Sequence, residues 1–437
     1  MKKKVFSAAL VLSLALTGSA MADPALTQVS EVSDVEWIDG TNLFRAQDEE
    51  GYYMADIDGN AVSKSGYASS FGSSNGFITA YSMAVEGANA EGLLAPDGTE
   101  VIECKYGDIK VPNEHWAAAF VLTPADANNY DYQALLAGDG DKYYLIETVD
   151  FYHLADGKAT LTGSFPRENC LDYDAQGDYL SVEDRTTNKV TMYDGSWNVV
   201  AEDLSSVYTE PDGIPVSGYE IYSENGQQGV KDADGNVLIE PAYKYVYDVE
   251  NGYVRVSTGD LYGLLDLNGN VIVPAEADEI ARCYYVPSNE GDSSYVSAGY
   301  AAAFVGGKLA FYDMSGKQTV EPTLSKDLVE VNGASATYTD LEGKKHILAA
   351  DGVDTVLDEA HQEIRPLYHG SGLLYEFQDA DYKKGLIDWH GNELLPIGQY
   401  DLELSGDGRY LIDNTDYDAG ILYEVDYGMG NTQAEAD

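Results

Sequence analysis

The feature that most constrains this fold is a hairpin pattern that recurs along the chain. An apolar segment is followed by an Asp-Gly or Asn-Gly turn and then by a second apolar segment, which often ends in Pro. The clearest copies begin at Gly92, Gly229, Gly263 and Gly385. Asp or Asn followed by Gly is the favoured chemistry of a tight turn, because Gly adopts positive φ without strain. Each copy therefore predicts a β-hairpin.

The turns recur at a regular interval. The nine intervals between Gly59 and Gly428 average 41 residues, and the widest has room for an extra hairpin around residues 138–141. A further strand-like segment lies between hairpins, so each module holds three or four strands, whereas no segment after the N-terminus shows helical periodicity. The turn glycines that we expect to be structural are Gly59, Gly98, Gly157, Gly195, Gly235, Gly269, Gly316, Gly352 and Gly391.

One stretch resembles a known family. Residues 228–256 contain Gly229, an Asp-Gly-Asn turn, an apolar segment ending in Pro241, Tyr243 and a later Gly252. This order is similar to the bacterial WG (KWG) repeat, and looser copies extend over most of residues 36–428. The resemblance implies all-β units and no defined catalysis. The residue before the repeat glycine is never Trp in the four clear copies; it is Glu91, Gln228, Tyr262 or Lys384.

These observations predict an all-β fold of tandem β-hairpin repeats that form a propeller-like ring or rings, with an open β-superhelix or solenoid as the alternative. A lone hairpin is marginally stable, so each module must bury its apolar faces against its neighbours. A period of about 40–45 residues is typical of propeller blades. The strand-like segment Thr41–Asp48 and the last copy, which stops near Tyr427, are two halves that could complete one blade.

The N-terminal residues predict export. Residues 1–22 have a basic start, an apolar stretch and small residues ending in Ala22, which is the pattern of a signal peptide cleaved after Ala22. The apolar run is shorter than the roughly 20 residues of a membrane span. We expect a 23–35 N-terminal leader, the 36–428 repeat array of about nine modules and a 429–437 polar tail. The mature protein is expected to be secreted, extracellular or periplasmic, without membrane insertion.

The charge of the chain restricts its partners. Lys and Arg number 25 against 75 Asp and Glu, which gives a formal net charge of −50. Nucleic acid and anionic membranes are excluded as partners, because they require a basic face. Many of the acids lie in turns and loops, where they set turn geometry and keep a strand-rich protein soluble. The three cysteines, Cys104, Cys170 and Cys283, are expected to be small buried hydrophobic residues.

Calcium is one ligand that the acids suggest. Asp56/Asp58, Asp232/Asp234 and Asp266 with Asn268 form D-x-[DN]-G motifs, and carboxylate oxygens suit a hard cation. The spacing of an EF-hand loop is not met, and turn chemistry alone explains the motif. We therefore expect no cofactor beyond weak calcium binding.

Sugar is another candidate ligand. The 35 Tyr and four Trp supply flat apolar faces, although Tyr is also a favoured strand residue. Trp197 and Trp389 lie beside turn glycines, so they are the aromatic residues that we expect to be exposed for ligand stacking.

Catalytic motifs are not found in the sequence. The six histidines have no short metal-binding spacing, and neither a G-x-S-x-G turn nor a P-loop occurs. The sequence thus favours an exported non-catalytic binding or scaffold protein that presents a β-repeat surface to an extracellular protein or glycan. The alternatives are a glycoside hydrolase on a propeller and a calcium-stabilised envelope protein.

Overall fold

The computed structural model describes most of the chain from residue 24 to residue 427. The described ranges are 24–32, 36–38, 41–68, 71–85, 88–125, 135–137, 143–209, 211, 218–284, 293–358, 361, 363–367, 372–405, 408–415 and 420–427. The predicted signal peptide, Gly428 and the 429–437 tail lie outside these ranges.

Within the described residues the chain is built from short antiparallel strands. The helical content of these ranges is one 3-10 turn, Lys326–Leu328, and none of their helices is long and apolar enough to cross a membrane. The chain divides into two compact units, Val35–Glu220 and Ile221–Asp437, and the second also includes Leu10–Asp34.

Unit 1 contains a three-stranded sheet β2-β3-β4, a long sheet in the order β10-β11-β9-β8-β7-β6-β5 with β12 paired to β11, and a four-stranded sheet β13-β14-β15-β16. The strands are β2 Glu36–Trp37, β3 Phe44–Gln47, β4 Tyr52–Ala55, β5 Gly72–Ser74, β6 Phe77–Val85, β7 Ala88–Leu94, β8 Glu100–Asn113, β9 Trp116–Ala125, β10 Leu135–Ala137, β11 Tyr143–Ala155, β12 Lys158–Pro166, β13 Cys170–Gln176, β14 Tyr179–Asp184, β15 Lys189–Tyr193 and β16 Val199–Leu204.

Unit 2 contains the four-stranded sheets β20-β21-β22-β23, β24-β27-β28-β29, β30-β31-β32-β33, β34-β35-β36-β37 and β1-β40-β39-β38, with a two-stranded pair β25-β26. A three-stranded sheet β17-β18-β19 begins at the boundary of the units. The strands are β1 Ala25–Val32, β17 Tyr219–Glu224, β18 Gln227–Asp232, β19 Val237–Tyr243, β20 Tyr245–Glu250, β21 Tyr253–Ser257, β22 Tyr262–Asp266, β23 Val271–Ala277, β24 Glu279–Ile280, β25 Cys283–Tyr284, β26 Ser293–Ser294, β27 Tyr300–Val305, β28 Lys308–Asp313, β29 Gln318–Val320, β30 Val329–Val331, β31 Ser335–Thr339, β32 Lys345–Ala349, β33 Asp354–Val356, β34 Glu363–Pro366, β35 Leu374–Gln378, β36 Lys384–Asp388, β37 Glu393–Gly398, β38 Leu402–Leu404, β39 Tyr410–Asp413 and β40 Gly420–Asp426.

Successive sheets of unit 2 pack face to face. One apolar core joins β21 and β22 to β27 and β28, a second runs from β27 and β28 through β31 and β32 to β35 and β36, and a third joins β35 and β36 to β39 and β40. Four-stranded antiparallel sheets stacked in chain order are the building units of a propeller. The predicted all-β, propeller-like fold of tandem hairpins is confirmed at the level of these sheets.

The predicted Gly turns connect the third and fourth strands of the modules. In the most frequent form, the carbonyl oxygen of residue i accepts a hydrogen bond from the N–H of residue i+3, and residue i+3 has a left-handed conformation. The Gly235 N–H, for example, donates to the Asp232 carbonyl oxygen at 3.0 Å. This is a type I turn followed by a bulge, a common three-residue hairpin loop. Gly59, Gly98, Gly269, Gly316, Gly352 and Gly391 share this position, and Gly157 has positive φ in a tighter Asp156-Gly157 turn.

Gly195 is the exception. The turn there starts at Asp194, so position i+3 is Trp197, whose φ is 64°. Our expectation that Gly195 takes the left-handed position was wrong, because the sequence pattern does not fix which of the turn residues is i+3. Tyr382 occupies the same position in the turn that begins at Asp379, with φ of 63°.

The repeat glycine that opens each clear copy is required for a different reason. At Gly92, Gly229, Gly263 and Gly385 the pairing register shifts, so the fourth strand bulges over the glycine. A Cβ on Gly92 would lie 2.6 Å from Cys104 Sγ and 2.7 Å from its backbone nitrogen. These glycines are therefore explained by the close approach of a neighbouring strand.

The chain ends meet in one sheet. Strand β1 pairs antiparallel with β40 from Ala25 opposite Asp426 to Val32 opposite Gly420, and it forms the outer strand of the last sheet. We expected Thr41–Asp48 to make this pairing, and that was wrong, since Phe44–Gln47 is the middle strand of the β2-β3-β4 sheet. The closing strand comes instead from the predicted 23–35 leader.

Two smaller expectations are confirmed. The extra hairpin is formed by β10 and β11, which pair from Leu135 opposite Leu145 to Ala137 opposite Tyr143, while its tip lies outside the described residues. Cys104, Cys170 and Cys283 are all buried and free, and burial raises the pKa of each thiol, to about 11 for Cys104.

We predict that Tyr382→Gly stabilises the protein by about 0.5–1 kcal/mol, as measured by chemical denaturation. The left-handed conformation strains a residue with a Cβ by about 1–2 kcal/mol, which exceeds the entropic cost of Gly. The Tyr382 side chain is 81% exposed, so little packing is lost. Tyr382→Ala retains the Cβ and should leave the stability nearly unchanged; an equal gain in both variants would contradict the explanation.

We also predict that Gly98→Ala costs at least about 1 kcal/mol more than Gly59→Ala in the free energy of unfolding. The two glycines have nearly equal φ, 80° and 78°, so the backbone strain is matched. A Cβ on Gly98 would overlap the backbone carbonyl of Val62 on the preceding module, whereas one on Gly59 meets nothing within 4 Å. Equal costs would show that turn docking adds no stability.

Candidate functional site

The calcium candidates are engaged in turn hydrogen bonds. Asp232 Oδ1 accepts the N–H groups of Asp234 at 3.0 Å and Asn236 at 2.8 Å, while Oδ2 accepts the Asn236 side-chain amide at 2.8 Å. Asp56 and Asp266 make the same set of bonds to the residues two and four positions ahead. The second acids, Asp58 and Asp234, are exposed. The structure does not bring these five acids together.

The described part of the chain contains no group of three or more His, Cys, Asp or Glu side chains arranged to hold a metal ion. The turn donors instead stabilise the ionised acids. The Asn198 side-chain amide and backbone N–H lower the pKa of Asp194, and the corresponding donors of Asn236 lower the pKa of Asp232. The D-x-[DN]-G motif therefore has a complete structural explanation.

Trp389 was predicted to be exposed, and this is wrong. Its side chain is 1% exposed and belongs to the core between sheets, where its ring lies 6.2 Å from the ring of Tyr300. The backbone N–H of Trp389 donates to the Leu373 carbonyl at 3.0 Å. This bond holds the start of the turn against the neighbouring loop, and the indole is directed inward.

Trp197 is half-buried rather than freely exposed. Its ring stacks on Tyr193 at 4.3 Å with an interplanar angle of 9°, and it lies 5.7 Å from Phe151. A Cβ on Gly163 would overlap the indole, so the ring packs against that glycine. Its aromatic faces are used within unit 1, which argues against a ligand platform here.

A cluster of partly exposed aromatic residues lies on the β20-β21-β22-β23 sheet of unit 2. We call Tyr245, Tyr247 and Tyr262 the tyrosine surface. Tyr245 and Tyr247 are 43% and 42% exposed, their ring centroids are 6.1 Å apart, and the Tyr247 ring is 5.5 Å from that of Tyr262. Tyr245 and Tyr262 are both paired with Ser257, so they lie in one row across the sheet.

Two features hold the tyrosine surface in place. Tyr245 and Tyr247 are alternate residues of β20, so they share a face of the sheet, and the register of β20 shifts between Val246 and Asp248. The Arg255 guanidinium lies 4.9 Å from the Tyr247 ring and 5.7 Å from the Tyr262 ring. Such cation–π contacts fix the rings from below.

A further set of contacts joins Arg255 to a buried ring. Arg255 also lies 5.7 Å from the ring of buried Tyr295, and Arg282 lies 4.9 Å from that ring while its Nη2 donates to the Tyr295 hydroxyl at 2.8 Å. Rings and guanidinium groups thus alternate from Tyr247 and Tyr262 to buried Tyr295, and the row ends at Arg282, which is itself exposed. The rings of the tyrosine surface are therefore supported by contacts on their inner side.

A second candidate is an acidic cleft in unit 1. The cleft has a volume of about 450 Å³, and its lining residues are Ser74, Thr79, Tyr81, Glu91, Asp108, Ile109, Lys110, Val111 and Pro112. Glu91 on β7 is only 3% exposed and its Oε2 accepts the Ile109 N–H at 2.7 Å. Tyr81 and Asp108 line the cleft beside Glu91.

The cleft contains an acid with a raised pKa. Burial raises the pKa of Glu91 to about 7, and the Asp108 carboxylate adds to the rise. A raised carboxyl pKa is expected of a general acid, and glycosidases pair such an acid with a second carboxyl group roughly 5–10 Å away. Glu91 and Asp108 line the same cleft, but a raised pKa alone does not identify a glycosidase.

A comparison with known families identifies the repeat. The sequence pattern of the family described as "WG containing repeat" matches residues 229–262. The chain therefore contains a WG repeat. No curated protein matches the WG-repeat chain.

Solved structures are similar to this WG-repeat protein only at low TM-scores. A crystal structure of a eukaryotic initiation factor has a TM-score of 0.32 at 10% identity and covers 89% of this chain and 94% of its own. The structure of Hsv2p of Kluyveromyces lactis has a TM-score of 0.26 at 10% identity and covers 74% of this chain and 98% of its own. The C-terminal WD40 domain of Sif2 has a TM-score of 0.21 at 8% identity and covers 71% of this chain and 93% of its own. We therefore take the architecture from the chain's own sheets.

The WG-repeat sequence carried a weak signal for the tyrosine surface. Residues 243–247 place Tyr at alternate positions, which predicts one aromatic strand face, but Tyr is so frequent in this chain that the run does not stand out. The contacts with the distant Arg255 and Tyr295 could not be read from spacing.

We predict that Asn198→Ala raises the pKa of Asp194 toward its ordinary value, because the carboxylate loses its side-chain amide donor. An ionised acid with a lowered pKa stabilises the fold above its unfolded pKa, and this stability is lost as the pH falls through the folded pKa. The variant should accordingly be less stable at neutral pH but not in acid. Carbon-detected NMR titration measures the pKa, and Asn236→Ala is the control that should shift Asp232 and leave Asp194 unchanged.

Proposed function

We propose that this WG-repeat protein is an exported, non-catalytic binding protein whose tyrosine surface binds a neutral glycan outside the cell. The observation that carries the proposal is the pair of half-exposed rings, Tyr245 and Tyr247, held by Arg255 on one sheet face. Export is supported by the signal-peptide pattern of residues 1–22.

The chemistry of the tyrosine surface suits a sugar. Tyr presents an apolar ring face and a hydroxyl at its edge, so it can contact the apolar face of a sugar ring and hydrogen-bond to its hydroxyls. Lys244 is exposed, and its ammonium lies 5.1 Å from the Tyr245 ring, where it adds a donor. The fixed rings lose little conformational entropy on binding, which favours affinity.

The charge of the chain selects among glycans. A net charge of −50 repels anionic polymers over the distance that salt leaves unscreened, while neutral glycans carry no such penalty. A hydrolytic function on the acidic cleft is less well supported, since Glu91 is only 3% exposed and its carboxyl group is engaged by the Ile109 N–H.

A glycan array with the mature protein tests this function. We predict binding to a neutral glycan, weakened about tenfold, or about 1.4 kcal/mol, by Tyr245→Ala and by Tyr247→Ala. Tyr208→Ala is the matched control, because Tyr208 is 67% exposed and belongs to unit 1, whereas the tyrosine surface belongs to a sheet of unit 2.

Three outcomes would overturn the proposal. Binding that survives both tyrosine variants would place the site elsewhere. Retention of a protein or an anionic glycan with no neutral glycan bound would change the ligand class. Hydrolysis of a bound glycan by the purified protein would show an enzyme.

A further inference from the structure

Strands β5 to β8 of unit 1 form the lining of the acidic cleft. Thr79 and Tyr81 are alternate residues of β6, so they share one face of the sheet, and Glu91 of β7 lies directly opposite Tyr81. The pairing of β7 with β8 extends to Glu91 opposite Tyr106, and residues 108–112 of β8, beyond this pair, line the cleft. The enclosed volume of about 450 Å³ is within the range of small-molecule sites.

Hydrogen bonds to two other strands hold this segment of β8. The Asn75 side-chain amide, at the tip of the β5-β6 hairpin, donates to the Val111 carbonyl oxygen at 2.6 Å, and the Ser74 hydroxyl donates to the same oxygen at 3.4 Å. The Ile109 N–H donates to Glu91 Oε2 of β7 at 2.7 Å. The wall of the cleft is therefore preorganised, which lowers the entropic cost of binding.

Glu91 is a buried carboxylate that retains acceptor sites. It is 3% exposed, and the Ile109 N–H occupies one of the roughly four lone-pair sites that a carboxylate offers. Lys110, the cation of the cleft lining, lies with its Nζ 3.1 Å from Oδ1 of Asp108. Among the residues that the structure describes, Glu91 has no cationic partner. A buried carboxylate without such a partner is costly, so pairing with a cation that enters the cleft is favourable.

The other polar side chains of the cleft offer acceptors as well. The hydroxyls of Ser74 and Thr79 donate to backbone carbonyl oxygens, so their own oxygens remain to accept hydrogen bonds from a ligand. An ammonium group has three donors and no acceptor, which complements such a lining. A metal ion fits less well, because no three His, Cys, Asp or Glu side chains of the described ranges are grouped to hold one.

We propose that the acidic cleft binds a small hydroxylated primary amine, whose ammonium group pairs with Glu91 and whose hydroxyl groups donate to Ser74 and Thr79. Amino sugars and amino alcohols have this chemistry. The net charge of −50 attracts such a cation to the protein. The cleft belongs to unit 1 and the tyrosine surface to a sheet of unit 2, and the proposal does not depend on the function of that surface.

Calorimetric titration of the mature protein with glucamine, the amine counterpart of sorbitol, tests the proposal. The titration is made at about pH 8, where an aliphatic amine is protonated and Glu91, whose pKa is raised by burial to about 7, is mostly ionised. We expect glucamine to bind at least about tenfold more tightly than sorbitol, which has a hydroxyl in place of the amine. This comparison needs no variant.

Glu91→Gln should weaken glucamine binding by at least about tenfold, because it removes the charge while its amide oxygen can still accept the Ile109 N–H. Asp234→Asn is the matched control, since it removes the same charge from an exposed turn residue of unit 2 and should leave the affinity unchanged. Tyr247→Ala should also leave it unchanged, which separates this site from the tyrosine surface. The amide NMR signal of Ile109 should shift when glucamine binds.

Three results would overturn the proposal. The first is that neither glucamine nor the smaller amine ethanolamine binds. The second is that sorbitol binds as tightly as glucamine, which would show that the ammonium group is not recognised. The third is that Glu91→Gln and Asp234→Asn weaken binding equally, which would show attraction by the overall charge rather than by the cleft.

Discussion

The left-handed residue of the third-to-fourth strand turn is the constraint on which the repeat array depends. It closes a three-residue loop, and it places the turn against the fourth strand of the preceding module, as Gly316 lies against Val271 and Gly352 against Thr319. A single backbone conformation thereby determines both the shape of the hairpin loop and the distance between the loop and the preceding module. The apolar cores between sheets form only when this spacing is kept.

The sequence predicted those features that depend on local chemistry. The Asp-Gly and Asn-Gly turns, the all-β class, the buried cysteines and the hairpin of β10 and β11 follow from turn preferences and from period-two apolar patterns. The left-handed position in the turn at Asp194 was misplaced, since Trp197 takes it at a cost in strain that its packing on Tyr193 and Phe151 offsets. The direction of Trp389 was missed for a related reason. A residue in a turn can point outward or into the interface, and only tertiary packing decides.

The position before the repeat glycine shows how one structural site accepts unlike residues. Gln228 uses it to bond the next sheet, and Glu91 uses it to bond the neighbouring strand β8. Tyr262 uses it to extend an aromatic surface, and Lys384 forms an ion pair with Glu376 at 3.0 Å. The backbone bulge around the glycine is common to all four, so the fold tolerates any side chain that reaches a partner. This freedom explains why the chain keeps the glycine of the WG repeat and lacks its tryptophan.

The pairing of β1 with β40 gives the chain a particular order of assembly. Strand β1, residues 25–32, precedes its partner, residues 420–426, by most of the repeat array. Because a chain is synthesised from its N-terminus, β1 is made long before β40, and it has no partner in this sheet until the modules between them exist. Contacts of such sequence separation slow folding, so we expect this sheet to be completed late.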